Sequence, residues 1–366
     1  MVPLPLHSRH VVLGAAFGEL KGREVVDRVP GQAEDRALRS GAALIDTSAR
    51  EVVRLTGPDR VSFLQGMVTQ DVEGLAPGSV ADAAMLTPKG AMVADARVVK
   101  RAEDFLLLTE PGHGATVLGA LGRYLISEDA ELSDASGELG QLSLVGPEAE
   151  ALAERVLGLG PPAGAALRQF DAGGGTTGWA MPQGLLLPGV DLLVPVNALG
   201  EVFDRLLAGG ATPVGMAALE VLRVERGTPR FGLDMDEKTI PLEANLQRAI
   251  HYQKGCYIGQ EVIARATFRG HVNRHLVGLR FAGSGGPMPA PRTELFVGDR
   301  RVGWVTSAVE SPRFGRIGLG YAHRDVAQDG TELTLPGGAG GATVAGLPFS
   351  EAPESPEPAR PGGVAG

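Results

Sequence analysis

Cysteine is almost absent from this chain: Cys256 is the sole one in 366 residues. One thiol cannot build an internal disulfide framework, which fits a reducing, cytoplasmic setting. Nor can it supply the four thiolates that usually hold an iron–sulfur cluster. No zinc-type Cys/His spacing is present, so no permanently bound metal is expected. Aromatic residues make up only 5% of the chain, and basic residues are outnumbered, 34 against 43 acidic, for a formal charge of −9. Such a balance excludes broad non-specific binding to nucleic acid, although a local basic patch could still hold an anion. Long apolar runs are missing as well. The N-terminal stretch Val11 to Phe17 (VVLGAAF) is too short to cross a bilayer and leads to Glu19, Lys21 and Arg23 instead of a small-residue cleavage site. It reads as an extended lead-in or first strand, and no membrane partner is expected.

What is present is apolar bulk and punctuation. Hydrophobic residues reach 43%, enough for more than one core at this length, and 53 glycines with 26 prolines imply many short elements. After a lead-in over 1–32, helix and strand patterns alternate from about Ala33. VVRLTG reads as a strand, and Pro58 opens a helix over DRVSFLQGMV. ADAAMLT and MVADARVV flank the turn-like Pro88-Lys89-Gly90 as a hairpin. FLLLTE reads as another strand and ATVLGALGRYLI as an amphipathic helix. A similar grammar resumes at Gly146, so a boundary between two sub-domains is expected near 145. MAALEVLRVERG reads as a helix, followed by a long irregular run from Thr228 to Asn245 of the kind that is often functional. Gly283 to Pro291 reads as a linker. The short strand patterns ELFV, RVGWVTSAV, RIGLGYA and TELTL then predict a small antiparallel barrel over 292–347. Residues 350–366 carry almost no large apolar side chain and are expected to be disordered.

Candidate chemistry concentrates at Lys254-Gly255-Cys256-Tyr257-Ile258-Gly259-Gln260-Glu261. Glycines on both sides of the thiol let the backbone bend and present it. Lys254, with Arg265 or Arg269, would favour the thiolate, and Glu261 would oppose that shift. A lone cysteine is more often a small buried hydrophobe, but its polar neighbours argue against a core position. The basic stretch Arg265 to Arg280 is either a solvated face or a place for an anionic tail. Asp234 to Glu237 crowds three acids into four residues without the spacing of a calcium loop. Trp179, Trp304 and Tyr257 are either core or stacking surfaces.

KGCYIGQE resembles the K-G-C-[FY]-x-G-Q-E signature of the YgfZ family, whose mitochondrial relatives assist iron–sulfur assembly. GMAALEVLRVERGTPRFGLDMDEKTIPLEANL is similar to the corresponding segment of the glycine-cleavage T-protein, the folate-dependent aminomethyltransferase. With GPDRVSFLQGMVTQDV and LTPKG, the likeness covers about Ala33 to Leu347. The resemblance implies an α+β architecture, with mixed α/β sub-domains over 33–282 forming a T-protein-like folate-binding fold, plus the C-terminal barrel. It also implies tetrahydrofolate or a derivative as ligand, with Asp95, Asp191 and Arg223 as folate contacts and Cys256 as the functional thiol at the mouth of the folate cavity.

Asp95 corresponds to one of the paired acids of the T-protein, with Ala94 at the other position; equally, Asp95 could simply alternate outward on a strand. Asp191, in Gly189-Val190-Asp191, stands where the T-protein has the glutamate that holds the pteridine, and is shorter by one methylene. Leu219 appears where the enzyme carries a substrate arginine, and a leucine cannot pair with a carboxylate or phosphate. The resulting expectation is a non-catalytic, tetrahydrofolate-binding factor that serves iron–sulfur client proteins through Cys256. The alternative is a folate-dependent aminomethyltransferase.

Overall fold

A computed structural model describes residues 1–161, 164–183, 186–268, 270–283, 287–336 and 340–350. Two sheets and a barrel make up most of it. The first sheet is antiparallel, in the order Ser79–Leu86, Met92–Lys100, Phe105–Thr109, Glu51–Thr56, Glu131–Asp134. The second runs Arg168–Gly173, Thr176–Pro182, Gly189–Pro195, Leu139–Val145, Ala43–Asp46, Thr212–Val214, and only its last pairing is parallel. Strand Ala43–Asp46 belongs to the second sheet although it precedes every strand of the first. The expected division near 145 therefore does not separate the two sheets. The C-terminal strands close into a six-stranded barrel that includes Arg274–Phe281, Arg300–Ser311 and Gly315–His323. The mixed α/β layers and this barrel are the architecture expected from the sequence.

Period-two alternation decides what each strand shows to each side. Along Met92–Lys100, Ala94, Ala96 and Val98 enter a core shared with Phe63 and Leu64 of helix Arg60–Met67 and with Val117 and Leu121 of helix Gly114–Gly122. Val99 points the other way. It joins Val52, Leu106, Leu108, Leu139, Met181 and Leu193 in an apolar cluster drawn from both sheets. Along Gly189–Pro195, Val190, Leu192 and Val194 pack under helices Ala149–Leu157 and Val196–Ala208. The two sheets therefore face each other. Burial of each large apolar side chain between them contributes about 1.5–3 kcal/mol.

Two sequence expectations need correcting at the N-terminus and after the signature. His7–Val12 is a short helix, and the first strand begins only at Ala16. Tertiary contacts account for it: Leu6 is buried, Arg9 pairs with Asp204 at 2.9 Å, and buried His10 meets Asp46 at 2.8 Å. The stretch from Gln260 to Phe268 is a helix that the sequence reading did not anticipate. The basic run after Arg265 is thus split between this helix and strand Arg274–Phe281, and Arg269 lies outside the described residues. Part of the expected linker and nearly all of the expected disordered tail lie outside them too. No described helix is long and apolar enough to cross a membrane.

Candidate functional site

Where the two facing sheets stop being apolar, a narrow cavity of about 100 Å³ opens between them. Asp95 and Arg97 reach it from strand Met92–Lys100 because they share the strand face of Val99. Glu110 follows strand Phe105–Thr109 on the face of Leu106 and Leu108. Asp191 arrives from the second sheet on the face of Leu193. Arg223, Thr228, Pro229 and Arg230 close the cavity from helix Met216–Arg226 and the irregular run after it. Asp95 does alternate away from its own core, as one reading of the sequence had it, but it meets a second sheet instead of bulk water.

Asp95 is the most perturbed group here. Its Oδ1 is buried without a hydrogen-bond partner. Desolvation, reinforced by the charges of Glu110 and Asp82, pushes its carboxyl up to about 7, against the opposing pull of a backbone hydrogen bond and Arg50. The register explains the Glu110 influence. Arg97 pairs with Leu108 at the end of the ladder between the strands, and Asp95 and Glu110 each lie two residues beyond it, on the faces of Arg97 and Leu108. Glu110 itself stays ionised. Burial would raise it, but Arg50 at 3.0 Å, Arg230 at 3.3 Å and Arg223 outweigh burial and hold it below the ordinary range. Two neighbouring carboxyls are thus driven apart, one charged and one poised near neutrality.

Asp191 is saturated. Ser143, its cross-strand partner, donates to Oδ1 at 2.5 Å, and Arg97 meets Oδ2 at 2.5 Å. Gln183 adds a long contact of 3.3 Å. Arg223 lines the cavity but is 3% exposed and fully engaged: it pairs with Asp234 at 2.7 Å and with Glu220, and donates to Ser307 and the Thr228 carbonyl. Its surroundings make it a wall and a brace more than a free ligand.

The signature segment is not part of the cavity wall. Residues 254–261 are not among those that line the cavity, and Cys256 is exposed. Lys254 does not serve the thiol. Its ammonium donates to the carbonyls of Gln65, Val68 and Gln70 at 2.7, 2.8 and 2.5 Å. These include acceptors left open at the end of helix Arg60–Met67. Burial lowers Lys254 to about 8, with Asp71 and Glu73 opposing. Gly259 needs its positive φ of 83°, and a Cβ there would stand 2.7 Å from the Thr87 carbonyl. Gly255 has ordinary space around it and no positive φ. The acidic run is likewise structural: Asp234 accepts from Thr306 and Ser307, and Asp236 from Thr239 and Arg292. Among the described residues, no group of three or more His, Cys, Asp or Glu could hold a metal ion. Trp304 and Tyr321 pack together under Arg274, and Trp179 flanks the inter-sheet cluster.

The sequence reading missed Arg50, Arg97, Glu110, Ser143 and Arg230. The signal for three of them was available in the alternation: Arg97 lies two residues beyond Asp95, and Ser143 and Glu110 continue the inward faces of LGQLSLV and FLLLTE.

A mixed α/β pair of facing sheets, a closing barrel and a cavity of paired charges define an architecture of a known type. The family model for the GCVT N-terminal domain matches residues 6–171 and 188–254, and that for the glycine cleavage T-protein C-terminal barrel domain matches 274–350. The chain belongs to the glycine-cleavage T-protein family. It is 32% identical over 355 residues to an aminomethyltransferase of Rubrobacter xylanophilus, covering 94% of this chain and 93% of that one. It is 31% identical over 352 residues to a probable aminomethyltransferase of Halobacterium salinarum, covering 90% and 93%. A crystal structure of the glycine cleavage system aminomethyltransferase T from Bartonella henselae superimposes with a TM-score of 0.85 at 23% identity, covering 95% and 98%.

These relatives overturn the iron–sulfur accessory role expected from Cys256. Proteins matching nearly the whole chain carry the name of the enzyme that stood as the alternative. The inference from Leu219 falls for a physical reason. Leu219 does line the cavity, but Arg50, Arg97, Arg223, Arg230 and Arg248 line it too, so its loss of one cation leaves the cavity far from uncharged.

Proposed function

We propose that this protein is an aminomethyltransferase-type transferase: in the cavity between its two sheets the carbon of a donor's aminomethyl group breaks its bond to the donor and passes to tetrahydrofolate, the amine leaving as ammonia. The observation that carries the reading is Asp95: a buried carboxyl in the cavity wall, with an unpartnered oxygen and an acidity close to neutral. Such a group accepts a proton from, or returns it to, a nitrogen placed beside it at physiological pH. The cavity suits a reduced pterin. Asp95 presents an acceptor for ring N–H groups, Asp191 would become a second once Arg97 moves off it, and Met181, Leu186, Leu219 and Leu246 offer apolar surface to its faces. When bound, tetrahydrofolate supplies the nitrogens that receive the one-carbon unit. The chain orients it, excludes water, and holds a proton at the Asp95 carboxyl. Glu110, fixed by Arg50 and Arg230, keeps that proton from leaving too readily.

Within the family, the KGCYIGQE segment supports a place beside the YgfZ-type members, and the lone exposed thiol supports a cytoplasmic setting. The test is an assay of aminomethyl transfer to tetrahydrofolate with purified protein, run beside a tetrahydrofolate titration. Saturable binding with turnover supports the reading. Absence of binding by the folded protein removes it.

A further inference from the structure

Asp191 is the acid that the proposed function assigns to the pterin, yet both of its oxygens are already taken. Ser143 holds one and Arg97 the other. Arg97 crosses from the first sheet to the second to do so, and its other terminal nitrogen donates to the Pro182 carbonyl. A guanidinium presents two parallel N–H donors to a carboxylate. A pterin ring presents the same kind of fork, through its exocyclic amine and the adjacent ring N–H, which one carboxylate accepts together. Arg97 reaches Asp191 through one nitrogen only, and so occupies one of the two oxygens, Oδ2, that the pterin fork would use.

We propose that Arg97 is a specificity-determining residue of this cavity, an internal competitor that holds the Asp191 Oδ2 the pterin would need and yields only to a ligand able to replace it there. The inference rests on the reading of the cavity as a folate site. Ser143 stays on Oδ1 and keeps the carboxylate aimed, so a ligand has to displace one partner, not both. Ligands without a donor fork gain nothing from the displacement. Arg97, once released, still has the Pro182 carbonyl as acceptor and has Asp82 opposite it on the neighbouring strand. Discrimination follows because a ligand with paired donors restores the hydrogen bonds that Asp191 loses, whereas one without them leaves the buried carboxylate short of a donor.

The test is equilibrium titration of the full chain and of Arg97→Met with three probes: tetrahydrofolate, a reduced pterin lacking the tail, and p-aminobenzoylglutamate, the tail without the pterin. Arg97→Met is expected to bind tetrahydrofolate and the bare pterin at least tenfold more tightly than the parent, with p-aminobenzoylglutamate unchanged. Adding Asp191→Asn should abolish the gain. If Arg97→Met binds tetrahydrofolate more weakly while the parent binds it well, Arg97 is a ligand and the competitor role is wrong, although the folate site stands. An equal gain for p-aminobenzoylglutamate also overturns it, since mere widening of the cavity would do that. If neither protein binds any pterin and both melt cooperatively, the folate reading fails and this inference with it. Should Arg97→Met not fold, Arg97→Gln gives the same comparison, because it too lacks the charged fork.

Discussion

Asp95 illustrates how much chemistry one strand position can acquire from its surroundings. Nothing in MVADARVV distinguishes it from a solvent-facing aspartate. Only the second sheet, packed across the apolar cluster, removes its water, and only the register with the neighbouring strand brings Glu110 near. The consequence for stability has a definite sign. Its acidity is shifted upward in the folded chain to about 7, so the folded state binds the proton more tightly than the unfolded state does between about pH 4 and 7. Stability must fall as pH rises through that window. Asp95→Asn should therefore be more stable than the parent by roughly 4 kcal/mol at pH 8 and nearly equal to it at pH 4. Urea denaturation at the two pH values measures this directly, and an equal effect at both would place the shifted proton elsewhere. Asp191 was legible as a site residue because its Gly-Val-Asp setting resembles the family pattern. Its occupation by Arg97 was not, because a contact between two sheets leaves no mark in either strand alone.

At the scale of elements, the signature segment is a joint. Lys254 caps the end of helix Arg60–Met67 through three carbonyls, and the Ile258 N–H adds a bond to Gly66. Gly259 lies against Thr87 of the hairpin, and at the hairpin's Gly90 a Cβ would collide with Val262 of the following helix. Glycine is thus required on both sides of that contact, for space as well as for backbone angle. Lys254→Met should destabilise the protein by about 2–4 kcal/mol, since it leaves several buried carbonyls without a donor. Thermal or urea unfolding would show it, whereas Gly255→Ala should be nearly silent. A lysine beside a cysteine in sequence suggested thiol chemistry. The three-dimensional path instead sends the ammonium into the core and the sulfur outward. Hairpins, helices with proline starts and four of the six barrel strands were read correctly because each is specified locally; the barrel also takes in Arg274–Phe281, which the sequence reading had left with the folate-binding region, and Gly341–Ala345. Helix Gln260–Phe268 was hidden under a motif whose residue types drew attention to chemistry.

At the scale of the whole molecule, the barrel is bound to the sheets by a small set of buried polar groups. Asp234, fully enclosed, joins Arg223 of the cavity wall to Thr306 and Ser307 of the barrel. Glu225 of the same helix accepts from Ser311 and pairs with Arg39. In the acidic run after Thr228, Asp234 and Asp236 are thus spent on internal partners, and Asp234 holds the barrel against the cavity wall as it does so. Asp234→Ala leaves Arg223 short of its buried partner and should cost about 3–5 kcal/mol. Because Arg223 also lines the cavity, the same change is expected to weaken tetrahydrofolate binding in protein that remains folded. Calorimetric melting and ligand titration of that variant would check both effects. A stable variant with intact binding would mean that the barrel is docked by its apolar contacts alone. The order of strands across the two sheets was out of reach of sequence reasoning for a topological reason: Ala43–Asp46 pairs with Leu139–Val145, about a hundred residues away, over a stretch that builds a different sheet.

The most direct measurement is the pH dependence of aminomethyl transfer to tetrahydrofolate by the parent protein and by Asp95→Asn. The parent should turn over, with a rate governed by a group titrating near pH 7. Asp95→Asn should fall at least about a hundredfold while still binding tetrahydrofolate. A folded parent protein that binds tetrahydrofolate and shows no transfer at any pH, or an Asp95→Asn variant that transfers as well as the parent, would contradict the account.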